Sequence, residues 1–97
     1  MLKMEQRKTK YTKRNLEYCF SHAIADGANF VGVMIQLPNM SQPEVIINPI
    51  DNLPSKMEYY FNNYNDNLEL IANPDVKIIG LTYGDTYEEI QGEFELF

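Results

Sequence analysis

One stretch constrains this chain more than any other: residues 29–38, NFVGVMIQLP. From Phe30 to Leu37 it is almost unbroken apolar sequence, rich in β-branched residues and closed by Pro38, which reads as a strand buried on both faces. It is far too short for the roughly 20 residues that cross a bilayer. A strand covered on both sides must lie inside a sheet, and 97 residues have to supply the cover. That length holds one domain with one modest core. Three helices hardly suffice for two sheet faces, so the reading predicts a symmetric homodimer through an open strand edge or an uncovered face.

The flanking elements follow from periodicity. Leu16, Cys19, Phe20, Ala23 and Ile24 recur at helical spacing, with Thr9 or Thr12 as cap and Gly27 as stop. NMSQP is a turn and EVIIN a second strand, joined to the first as a hairpin. Ser55 and Glu58 form a capping-box pattern, from which Met57, Tyr60, Phe61, Tyr64, Leu68 and Ile71 trace one helical face. Four asparagines, Asn62, Asn63, Asn65 and Asn67, are poor helix formers, so the helix is expected to loosen near 65–67. VKIIGLTY is a third strand, and Asp85 with Glu88 caps a last helix whose inward residues are Tyr87, Ile90 and Phe94, with Phe97 beyond. The order α-β-β-α-β-α predicts a small α+β domain over 11–97, a three-stranded sheet with helices mainly on one face. The expected core is Leu16, Phe20, Ile24, Val31, Val33, Ile35, Ile46, Met57, Tyr60, Tyr64, Leu68, Ile79, Leu81 and Ile90.

Charge is distributed unevenly. Residues 1–14 hold six of the eight basic side chains and one acid, a formal +5, and 1–10 is expected to be a partly flexible basic arm. Residues 15–97 hold two lysines against thirteen acids, a formal −11. Such a body is repelled by duplex nucleic acid and attracted to a basic protein surface. The lone Cys19 and the absence of an apolar segment after the charged start point to the cytoplasm, with no membrane partner.

Catalytic patterns are missing. Cys19 and the only histidine, His22, share a helix at i, i+3, but two ligands do not make a metal site. Ser21, Ser41 and Ser55 lie in no nucleophile pattern. GLTYGDT imitates a phosphate-binding turn, yet Asp85 stands where the anion would sit. The reading is of a non-enzyme without metal or cofactor.

The tyrosine- and asparagine-rich SKMEYYFNNYNDNLEL, the segment VKIIGLTYGDTYEEI and the acidic body behind a basic start resemble, in overall style, small accessory proteins of Gram-positive bacteriophages and prophages. The resemblance implies inhibition of host or antiviral-defence machinery by binding, as anti-CRISPR proteins do, or sequestration of a defence nucleotide. Two candidate sites follow. An inhibitor would face a basic host protein with Tyr59, Asn62, Asn63, Asp66, Glu69, Glu88, Glu89, Glu93 and Glu95. A nucleotide sponge would instead use Lys13, Arg14, Tyr18, His22 and Tyr59, aromatics on the base and cations on phosphate. A third possibility is an assembly protein that only oligomerises.

Overall fold

The computed structural model describes residues 11–95, without the side chain of Glu95. The arm expected over 1–10, and Phe97, lie outside the described residues. The elements are α1 (Lys13–Asp26), β1 (Phe30–Gln36), β2 (Glu44–Pro49), a 3₁₀ turn (Ile50–Asn52), α2 (Leu53–Asn63), β3 (Glu69–Leu70), β4 (Asn73–Gly84) and α3 (Tyr87–Glu95). The sheet is antiparallel, in the order β2-β1-β4-β3. The class is α+β as expected, but there are four strands where three were predicted. β1, the buried run, is a central strand.

The extra strand comes from the asparagines. The Asn65 side-chain oxygen accepts from Asn67 N–H at 2.9 Å and Glu69 N–H at 3.0 Å, and its amide donates to Glu69 Oε1 at 3.0 Å. These bonds offer the backbone a turn in place of another helical turn. The helix therefore ends at Asn63, and Leu68, at φ 60, turns into β3. Tyr64 and Leu68 are buried as predicted, though from the turn and not from a helix, while Ile71 is exposed. The start of α2 also differs. It begins at Leu53 with Pro54 in its first turn, where a missing N–H costs nothing, and Ser55 donates to Asn52 O instead of capping.

Helices cover both faces of the sheet, against the expectation of one. Leu16, Phe20 and Ala23 of α1 and Leu53 and Tyr60 of α2 pack on Val31, Val33, Leu81 and Tyr83. Ile90 and Phe94 of α3 pack with Met34 on the other face, beside half-covered Phe30, Val45, Ile47 and Ile79. Gly32 permits this contact, because a methyl group there would collide with Ile90 Cγ2. A bulge corrects another expectation. Met34 pairs with Gly80 but Ile35 with Ile78, so Ile79 is the extra residue. Simple alternation would unite Ile79 with Leu81. Instead Ile78 joins Leu81 on the α1/α2 face, and Ile79 turns to α3 with Ile90. Ile24, also placed in the core, is 46% exposed because the buried stripe of α1 runs through Leu16, Cys19, Phe20 and Ala23 and leaves it on the flank.

No described helix is long and apolar enough to cross a membrane.

Candidate functional site

Three segments meet at one end of the sheet: the last turn of α1, the end of β4 and the start of α3. α1 stops at Asp26 because Gly27 takes φ 72, with Ala28 N–H bonded to Ala23 O and Gly27 N–H to Ile24 O. Only a residue without Cβ adopts that turn freely. Tyr83, the last residue of the predicted strand VKIIGLTY, sends its hydroxyl 57 residues back in sequence to donate to Asp26 Oδ2 at 2.5 Å. The chain then turns at Asp85. Thr86 caps α3 by accepting from Glu89 N–H at 3.1 Å, and Glu89 Oε1 accepts from Asp85 N–H at 2.6 Å. The capping pair is Thr86–Glu89, one residue later than the Asp85–Glu88 pair predicted, and its glutamate reaches past the cap to the N–H of Asp85. Asn29 ties the corner to β1 by donating to Asp85 O at 3.3 Å.

These contacts frame a cleft of about 180 Å³ lined by Asp26, Ala28, Tyr83, Gly84, Asp85 and Glu89. Three carboxylates and a phenol converge there, with exposed Glu88 on the adjoining turn. Carboxylates are acceptors only, and aromatic faces attract cations, so the chemistry suits a guanidinium or an ammonium group. Among the described residues no three His, Cys, Asp or Glu side chains are placed to hold a metal ion.

The residues expected to form one inhibitor surface divide. Glu88 and Glu89 belong to the cleft end. Glu93 does not face water: it follows Ile90 by three positions on the same helical stripe and is only 9% exposed. The side chain of Glu95 lies outside the described residues. Tyr59, Asn62, Asn63 and Asp66 are exposed, on α2 and the turn after it, across the sheet from α3. There Asn63 donates to Tyr59 O at 2.8 Å, and half-buried Glu69 is held by Asn65. Asn63, Asn65 and Asn67 thus serve α2 and its turn.

The five residues of the nucleotide site do not assemble either. Lys13 Nζ donates to Phe61 O at 2.6 Å and lies 5.3 Å from the Phe61 ring centroid, a cation at the C-terminus of α2. Tyr18 and His22 stack on each other at 4.0 Å. Phe20 meets Tyr60 of α2, and both Tyr18 and His22 stand about 160° around α1 from Phe20 at 3.6 residues per turn. Tyr59 on α2 packs instead with Tyr60 and under Lys56. Beside Lys13 and Arg14 there is a groove of about 380 Å³, but Asp66 lines it and opposes a phosphate.

Sequence reasoning missed Asp26, Tyr83 and Asp85 as site residues. Asp85 stood out as a cap and as a charge opposing a phosphate, and nothing in a linear reading joins Asp26 to Tyr83. Burial also removes Cys19 from any surface chemistry, pushing its thiol up to about 12. Comparison with family models, curated proteins and solved structures finds no match to the chain.

Proposed function

We propose that the protein is a non-enzymatic acidic binding protein that docks on a basic surface of another protein, in the manner of phage and prophage inhibitors of host or defence machinery. The observation that supports this reading is the cleft at the α3 end, where Asp26, Asp85 and Glu89 surround Tyr83 and Glu88 extends the acidic rim. Two of the described cations are engaged elsewhere. Lys13 serves the end of α2 and Lys56 lies 5.6 Å from the Tyr59 ring centroid. With 15–97 at a formal −11, an arginine or lysine of the partner is the complementary group for the cleft.

The test is capture from a bacterial host lysate followed by binding kinetics with the purified partner. Reversal of Glu88 and Glu89 to lysine should slow association more than it hastens release, and added salt should weaken binding over the about 8–10 Å screening range. Glu89→Gln separates charge from capping, since the amide oxygen still accepts from Asp85 N–H. Deletion of residues 1–10 should leave binding intact. If that deletion abolishes binding, the glutamate reversals change nothing, and the bound fraction is a nucleotide, the proposal fails and the sponge replaces it.

A further inference from the structure

β2 ends the sheet on its side, and its outer edge has a symmetry of its own. The bond from Ile50 N–H to Asn29 O, 2.8 Å, sets the phase of the β1–β2 ladder. Asn29 and Ile50 stand beside the Phe30–Pro49 pair, and bonded and non-bonded pairs alternate along an antiparallel ladder. Val31–Asn48, Val33–Ile46 and Ile35–Glu44 are therefore the bonded pairs. Val45, Ile47 and Pro49 turn their backbone groups outward, where Pro49 needs no N–H. Among the described residues, no loop or helix backbone bonds to Val45 or Ile47 on that side. In the sequence PEVIINP, Pro43 and Pro49 lie three residues to either side of Ile46.

We infer that this edge pairs with the same edge of a second copy, antiparallel about a two-fold axis at Ile46, joining two sheets into one. Val45 then stands opposite Ile47 of the partner subunit, and the two such pairs exchange four ladder bonds. Pro43 meets Pro49 of the partner subunit, so the positions that lack donors face each other and pairing ends there. Glu44, the one charged residue of β2, faces Asn48 of the partner subunit and not its own copy. The α3 face supplies the side-chain contact. A mostly apolar groove of about 380 Å³, lined by Met34, Pro43, Val45, Ile79 and Phe94 among others, opens beside this edge, where Ile47 of the partner subunit would extend its wall. No charged residue lines it, which is where two copies of an acidic body can meet.

The inference is independent of the acidic cleft, and salt separates the two. Two copies at −6 repel, so added salt should tighten self-association while it loosens an acidic protein from a basic partner. Sedimentation equilibrium of the full chain from low to high micromolar concentration should show a dimer. Val45→Pro removes two of the four ladder bonds without touching the bonds to β1, and should weaken the dimer about tenfold or more at unchanged circular dichroism. Ile46→Cys places two thiols across the axis at a non-bonded pair, about 4.5 Å between Cα atoms, within disulfide range. Mild oxidation should link it into a covalent dimer, with no background from buried Cys19, while Glu44→Cys stays unlinked. A monomer throughout the range, a dimer unaffected by a folded Val45→Pro, or equal linking of both cysteine variants overturns the inference. Should Val45→Pro not fold, the cysteine pair decides alone.

Discussion

The two faces of the sheet are built differently. On one, α1 and α2 bury Leu16, Phe20, Val31, Val33, Leu53 and Leu81 completely. On the other, the nine residues of α3 bury Met34, Ile90 and Phe94, leaving Val45, Ile47 and Ile79 half covered beside a groove. The first face carries the stability. The second is a thin layer over Gly32 that leaves an edge and a groove in contact with solvent. The acidic cleft lies where the two layers meet, between Asp26, Ala28 and Tyr83 of the first and Asp85 and Glu89 at the start of α3.

That contrast can be broken from either side. Phe20→Ala should cost about 3–5 kcal/mol, because its cavity opens among fully buried neighbours; chemical denaturation showing less than about 1 kcal/mol would mean the α1/α2 face is not the main core. Alkaline titration addresses the same face. Burial holds the Cys19 thiol at about 12 against an ordinary 9.0, and Tyr64 at about 12 against 10.0, the latter helped by Tyr59 and Tyr60. The folded state keeps protons that the unfolded chain releases, so stability is whole below pH 9 and falls as pH rises toward 12, by up to about 1.4 kcal/mol per unit per group. Cys19→Ala should flatten that fall, and an unchanged slope would discard the cause. On the thin face, Gly32→Ala should cost about 1–3 kcal/mol by pushing Ile90 and Phe94 outward, read as faster amide exchange in α3 than in α1. Equal exchange in both helices would contradict the layered account. The smallest effect concerns Thr82, whose buried hydroxyl has no partner among the described residues. Thr82→Val should be neutral or stabilising by about 1 kcal/mol in melting experiments.

α1 was legible in the sequence because stripe, cap and stop agree: Asn15 accepts from Thr12 N–H at 2.8 Å, and Gly27 ends the helix where its position implied. The second helix was half legible. Its loosening near residues 65–67 could be read from asparagine chemistry, but a two-residue strand such as Glu69–Leu70 leaves too short a pattern to find. Ile79 was misplaced because a bulge breaks the period of two without a sequence signal. The residues of the expected binding surface divide between two regions for a tertiary reason. Asp66 and Glu69, beyond the end of α2, and the glutamates of α3 look equivalent in a linear chain, and only the topology separates them. Asp26 and Tyr83 are the converse case, a pair made by the fold alone.

The most direct test of the acidic-cleft account is a titration of isotope-labelled protein with a hexa-arginine peptide, followed by amide chemical shifts at low and at physiological salt. The account predicts shifts concentrated at residues 26–29 and 83–89, reduced by salt and by Asp85→Asn with Glu88→Gln. Shifts centred on residues 56–69, or spread evenly over every exposed carboxylate, would contradict it.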